Sequence, residues 1–109
     1  MGDMSKKLPP RAQRRAQERV DAKVARDRER LARLEPGGAP AHPIDVESAS
    51  QVEGHARSMP CVRCGAQARV AEHTAETIDG VRVRVAKMLC PACASRRDIY
   101  FRVLTSTVN

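Results

Sequence analysis

The chain has 109 residues, enough for one small domain, and carries a net charge of +7. Only 2% of its residues are aromatic and none is tryptophan, so we do not expect a large hydrophobic core without a metal. No apolar run approaches the ~18 residues of a membrane span, and residues 1–11 lack the apolar stretch of a secretory signal. The composition therefore predicts a soluble cytoplasmic protein with no membrane partner.

The N-terminal part is predicted to be a long basic helix. Residues 1–8 are expected to be disordered, and residues 9–35 form the helix because strong helix formers dominate and Pro36-Gly37-Gly38 ends the run. At ~100° per residue, seven basic side chains fall within one arc of ~120°. This basic arc consists of Arg11, Arg15, Arg19, Lys23, Arg26, Arg30 and Arg33.

Two interpretations of the basic arc remain open. It is either a surface that contacts phosphates or the solvated face of an arginine-rich helix. Beside it runs a thin apolar stripe, interrupted by Asp27, whose members are Ala16, Val20, Val24, Leu31 and Leu34. This apolar stripe is expected to dock on the cysteine-bearing unit, to pair with another helix or to form a weak coiled-coil seam.

Residues 36–59 are predicted to be a flexible linker. They mix Gly, Pro, Ala and Ser with single charges and show no apolar period. A cysteine-bearing unit is expected at residues 60–104, and residues 105–109 form a tail.

The cysteine-bearing unit contains two CxxC motifs. Their four cysteines are Cys61, Cys64, Cys90 and Cys93. One CxxC turn brings two sulfurs to a cation, and two such turns complete a tetrahedral shell with Zn–S distances of ~2.3 Å. In a reducing compartment paired CxxC motifs are more often metal ligands than disulfides, and no βαβ pattern supports a thioredoxin-like motif. We expect one structural Zn²⁺; iron uses the same ligands, and the scarcity of aromatic residues favours zinc.

A hairpin is predicted between the two motifs. Asp79-Gly80 is a strong two-residue turn signal, and pairing across it places Glu72 opposite Lys87 and Val70 opposite Leu89. This register brings both CxxC turns to the same end of the hairpin. A third antiparallel strand is expected at residues 99–104, with Phe101 filling the core.

The motifs CVRCG and CPAC resemble those of zinc ribbons of the rubredoxin-like, zinc-knuckle class. The resemblance covers residues 59–104, indicates no specific family, and implies that two knuckles hold one Zn²⁺. The expected fold is a small metal-bound β unit, a three-stranded antiparallel zinc ribbon, preceded by the long basic helix and the linker. The chain is also broadly similar to regulators of the DksA/TraR type, but its motifs are spaced further apart, and we do not assign it to that group.

The expected function is non-enzymatic, without a small-molecule substrate. Four cysteines close the metal shell, whereas catalytic zinc keeps a position open. The favoured partner is nucleic acid or a nucleic-acid-associated protein complex, contacted by the basic arc and by the ribbon. The ribbon candidates are Arg82, Arg84, Arg96, Arg97, Tyr100 and Arg102, with Tyr100 either stacking on a base or packing on an arginine stem.

The alternative function is a protein–protein interaction adaptor that docks through the apolar stripe and the ribbon. The sequence leaves open whether the partner is DNA, RNA or protein. The oligomeric state also stays open.

Overall fold

The computed structural model describes residues 9–104, and the predictions for residues 1–8 and 105–109 lie outside this range. Helix α1 spans Pro10–Ala32, and its first turn accommodates Pro10 because a first-turn N–H needs no helical partner. The helix ends three residues before the predicted residue 35, and tight turns follow it. No helix within residues 9–104 combines the length and the apolarity that crossing a bilayer requires.

Helix α1 buries two small side chains near its C-terminal end. Ala25 and Ala32, two helical turns apart, are buried, and Glu29 between them is half-buried. The apolar stripe does not dock on the sheet. Its larger members remain exposed: Val20 (54%), Val24 (41%), Leu31 (62%) and Leu34 (70%).

The prediction of a flexible linker at residues 36–59 is wrong. This segment contains strand β1 (Ile44–Val46), a 3-10 turn (Ala49–Gln51) and helix α2 (Val52–Arg57). Its few apolar side chains, including Val46 and Val52, are buried against the sheet. A strand of three residues and a helix of six are too short to show a recognisable apolar period. Tertiary contacts stabilise both elements, so the local sequence does not reveal them.

Strands β2 (Arg69–Ile78) and β3 (Val81–Leu89) form the predicted hairpin. Both turn residues have positive φ, 51° at Asp79 and 78° at Gly80, as a two-residue hairpin turn of type I′ requires. The predicted register is confirmed from the turn as far as Glu72, which pairs with Lys87.

Beyond Glu72 the register shifts at a β-bulge. Val70 pairs with Met88 instead of the predicted Leu89, and Ala71 has no partner in the ladder. The prediction was wrong here because a bulge inserts one unpaired residue and leaves no signal in an alternating sequence.

Strand β4 (Arg96–Val103) lies between β3 and β1 in a sheet of order β1-β4-β3-β2. It is antiparallel to β3 and parallel to β1. The sheet is therefore four-stranded and mixed rather than three-stranded and antiparallel, and the additional strand comes from the supposed linker.

The core lies between one face of the sheet and helix α2. Phe101 is fully buried, as predicted, and packs with Ile99 of the same strand and with Val52 and Ala56 of α2. The His55 ring meets the Phe101 ring edge-on, with centroids 5.6 Å apart. These contacts hold residues 44–57 on the sheet.

Candidate metal centre

The two CxxC motifs fold into turns with the same backbone hydrogen bonds. In the first turn Gly65 N–H donates to the Cys61 carbonyl at 2.8 Å, and Cys61 N–H donates to the Ala66 carbonyl at 2.8 Å. The second turn repeats both bonds: Ala94 N–H donates to the Cys90 carbonyl at 2.7 Å, and Cys90 N–H donates to the Ser95 carbonyl at 3.0 Å. Both turns stand at the open end of the β2–β3 hairpin, as the sequence predicts.

The four cysteine sulfurs form one compact cluster. All four Sγ atoms lie within 4.8 Å of one another, with 3.7 Å between Cys61 and Cys93 and 3.5 Å between Cys64 and Cys90. A disulfide needs ~2.05 Å, and all four cysteines are free. A tetrahedral ion with Zn–S distances of ~2.3 Å has S–S edges of ~3.8 Å. The cluster therefore has the dimensions and the donor atoms to hold one tetrahedral metal ion.

The centre lies between the core and solvent. Cys90 is buried and belongs to the hydrophobic core cluster, Cys61 is half-buried, and Cys64 and Cys93 are exposed. An ion bound by all four thiolates would therefore connect the exposed knuckles to the core.

Ser95 is the clearest site residue that the sequence analysis missed. Its Oγ lies 3.3 Å from Cys61 Sγ and 3.1 Å from Cys93 Sγ, so its O–H can donate to a thiolate. Backbone N–H of Arg63 also donates to Cys61 Sγ at 3.4 Å. The only sequence signal was a hydroxyl two residues after the last cysteine, which has no recognisable pattern by itself.

These hydrogen bonds favour thiolates at two of the four positions. Burial raises the pKa of Cys61, but the Ser95 hydroxyl and the amides of Cys64 and Arg63 outweigh it, and the pKa falls to about 6. The Ser95 hydroxyl and amide likewise lower the pKa of Cys93. Anionic sulfur, the form that binds metal, is thus stabilised before any ion is present.

Cys64 behaves in the opposite way. The Ala66 amide lowers its pKa, but the neighbouring sulfurs of Cys90, Cys93 and Cys61 raise it, and the pKa reaches about 12. Several thiolates at this separation repel one another, so the metal-free cluster retains a proton on Cys64 at neutral pH. A bound divalent cation would remove the repulsion and release that proton.

Helix α1 is attached to the first cysteine turn. Arg28 Nη1 donates to the Arg63 carbonyl at 3.5 Å, and Glu29 Oε2 lies 3.9 Å from Arg63 Nε. The ion pair is partly exposed and contributes at most ~1 kcal/mol. Together with the Arg28 hydrogen bond, it places Arg28 and Glu29 of α1 against the first cysteine turn.

The basic arc begins at the edge of this attachment, because at ~100° per residue Glu29 lies on the same side of α1 as Arg11, and it extends from there away from Arg28. All seven of its side chains are exposed. Lys23 and Arg30 pair with Asp27 at 3.2 and 3.7 Å, and the other five make no ion pair within the described residues.

The ribbon candidates do not form one surface. Arg84 pairs across the sheet with Phe101, so Arg84 and Arg82 share the face that α2 covers. Tyr100 and Arg102 alternate with Phe101 and lie on the opposite face. The structure therefore divides this predicted group between two sides of the sheet.

Tyr100 and Arg102 also have partners within the protein. Arg102 forms an ion pair with Asp45 of β1, with Nη2–Oδ1 at 2.9 Å. Tyr100 is half-buried, and burial raises its pKa, with further contributions from Asp98 and Glu76. The ion pair of Arg102 and the partial burial of Tyr100 leave both side chains less available to a nucleic acid than the basic arc.

Comparisons of the chain with protein-family models, with curated proteins and with solved structures gave no significant match. The resemblance to zinc ribbons therefore depends on the cysteines and their geometry. The described residues show a long helix, a four-stranded mixed sheet and four cysteines placed to hold one metal ion.

Proposed function

We propose that the chain is a non-enzymatic zinc-ribbon protein that binds nucleic acid, or a complex containing it, through the basic arc of α1. Zinc in the four-cysteine cluster is supported by the S–S distances of 3.5 and 3.7 Å, close to the ~3.8 Å edge of a zinc tetrathiolate. The exposure of Cys64 and Cys93 to water also suits zinc better than iron, because zinc has no redox chemistry that contact with water would affect. The proposal includes a cytoplasmic location, where free thiols persist.

The observation that carries the nucleic-acid proposal is the exposure of the whole basic arc. Helix α1 has 23 residues and is ~35 Å long, close to one turn of duplex DNA. Its attachment to the body through Ala25 and Ala32 lies ~100° round the helix from the arc. The five unpaired arginines of the arc are therefore free to contact phosphates.

The test is fluorescence anisotropy with labelled single-stranded and duplex oligonucleotides over a range of salt concentrations. Five phosphate contacts predict that log K falls with log salt at a slope of about −4.5 on duplex DNA. Arg15→Glu should weaken binding and flatten this slope. Arg14→Glu is the matched control because it makes the same change one residue away, outside the arc. Equal effects of the two substitutions, or no salt-dependent binding, would refute the proposal.

A second candidate function is a protein–protein adaptor, and the exposure of the apolar stripe favours it. Val20, Val24, Leu31 and Leu34 are each at least 41% exposed. An amphipathic helix with such a stripe fits a hydrophobic groove on another protein. The double substitution Val20→Ser/Leu31→Ser separates the candidates, since it should abolish capture of a protein partner and leave oligonucleotide affinity unchanged.

A further inference from the structure

A groove of about 530 Å³ lies between the end of α1, the first cysteine turn and the start of β4. Its apolar lining includes Ala68, Met88 and Ile99, and its basic lining is Arg33, Arg96 and Arg97. Neither proposed function uses this groove as a whole.

One side of the groove is an unpaired stretch of strand edge. Strand β1 pairs with β4 only at residues 101–103. The next main-chain group of β4 that points away from β3 is the Tyr100 N–H, which donates to the Gly37 carbonyl at 2.9 Å. Because outward-facing residues alternate along a strand, the main-chain groups of Asp98 and Arg96 also face away from β3. Within residues 9–104 no backbone hydrogen bond to a neighbouring segment satisfies them.

The basic lining of the groove is not neutralised by the protein. Arg33, Arg96 and Arg97 form no ion pair in the part of the chain that the structure describes. Of the two carboxylates in the lining, Glu29 is paired with Arg63 and Asp98 has no ion pair among the described residues, so the three arginines outnumber the one free carboxylate. Arg97 is half-buried, so its charge is partly shielded from water. A negatively charged ligand would therefore be favoured.

We propose that this groove binds an extended acidic segment of a partner protein, which pairs with the free β4 edge at Arg96 and Asp98. The segment's main chain satisfies the outward N–H and C=O groups, and its acidic side chains meet Arg33, Arg96 and Arg97. A peptide fits better than nucleic acid. A phosphate backbone has no donor for the outward carbonyls, whereas a peptide main chain supplies N–H donors as well as C=O acceptors.

The test is an NMR titration of the full chain with the synthetic peptide acetyl-Val-Glu-Val-Glu-Val-Glu-amide. Binding should shift the Arg96 and Asp98 amide signals and slow hydrogen exchange at both, because a new strand protects them. The same peptide with alternate amides N-methylated should bind at least about 10-fold more weakly, since it loses the main-chain donors. Arg97→Gln should weaken the unmodified peptide about 10-fold, while Arg82→Gln, outside the groove, should not.

Arg33→Gln provides a second variant, because this residue is exposed at the end of α1 and its loss should not disturb the fold. It should weaken the peptide several-fold. Several results would overturn the proposal: no shift at Arg96 or Asp98 at about 1 mM peptide, equal binding of the N-methylated peptide, or equal effects of Arg97→Gln and Arg82→Gln. A single-stranded oligonucleotide that shifts the same two amides at lower concentration than the peptide would assign the groove to nucleic acid instead.

Discussion

Gly65 and Ala94 occupy the same position in the two cysteine turns, although only one of them is glycine. Each follows the second cysteine of its motif and donates its N–H to the carbonyl of the first, at 2.8 and 2.7 Å. Each has a positive φ, 79° for Gly65 and 62° for Ala94. A left-handed conformation costs an ordinary L-residue ~1–2 kcal/mol, so the second turn is strained where the first is not.

The two turns therefore predict opposite effects of exchanging these residues. Ala94→Gly should increase the free energy of unfolding by about 0.5–1 kcal/mol, and Gly65→Ala should reduce it by about 1 kcal/mol. A methyl group at Gly65 would meet no atom within 4 Å, so the cost is conformational rather than steric. Urea denaturation of the metal-loaded protein measures both values. Destabilisation by Ala94→Gly would contradict the equivalence of the turns.

Because α2 is buried on the sheet, we expect a valine-to-alanine substitution to lower the free energy of unfolding much more in α2 than at an exposed valine. Val52→Ala should lower the free energy of unfolding by about 2 kcal/mol, because Val52 is fully buried and its loss leaves a cavity. Val81→Ala, at a position 49% exposed, should cost less than about 0.5 kcal/mol. If both cost the same small amount in urea denaturation, residues 44–57 are not part of the folded core.

The contacts of Ser95 predict a specific role in metal affinity. Ser95→Ala removes the hydroxyl between Cys61 and Cys93 and should weaken metal binding about 10-fold, as loss of an outer-shell hydrogen bond typically does. Competition with a chromophoric chelator measures the change. Ser95→Thr keeps a hydroxyl and should restore most of the affinity. If the threonine variant binds as weakly as the alanine variant, packing rather than the hydrogen bond explains the effect.

The unequal cysteine pKa values predict how many protons a metal ion displaces. At pH 7 Cys61, with a pKa of about 6, is mostly thiolate already, whereas Cys64, with a pKa of about 12, must lose a proton. Below about pH 6 Cys61 is protonated too, so each ion displaces more protons and affinity falls more steeply with acid. Calorimetry in buffers of different ionisation enthalpy should find more protons released at pH 5 than at pH 7. Release of the same number of protons at pH 5 and pH 7 would contradict the pKa values assigned to Cys61 and Cys64.

The features that the sequence predicted correctly are those set by local chemistry. The CxxC turns and the Asp79-Gly80 turn each follow from a few adjacent residues. The Asp79-Gly80 turn pairs β2 with β3 and so brings the four cysteines together. Phe101 was identified because strand alternation marks the buried face and the chain offers no second phenylalanine.

The features that the sequence did not reveal depend on tertiary contact. Strand β1 has three residues and exists because β4 offers an open edge to pair with. Ala25 and Ala32 attach α1 to the body, but alanine in a helix is equally suited to solvent, so no pattern marked them as contacts. Ser95 acquires its role only from the sulfurs that the fold places beside it.

We infer that one zinc ion, held by Cys61, Cys64, Cys90 and Cys93, completes a fold whose aromatic-poor core needs it. The most direct measurement is elemental analysis of natively purified protein, with Cys64→Ser and Cys90→Ser as metal-deficient controls. We expect close to one equivalent of zinc per chain in the natural protein and a large loss in both variants. Less than about a tenth of an equivalent of zinc in the natural protein, or iron in its place, would contradict it.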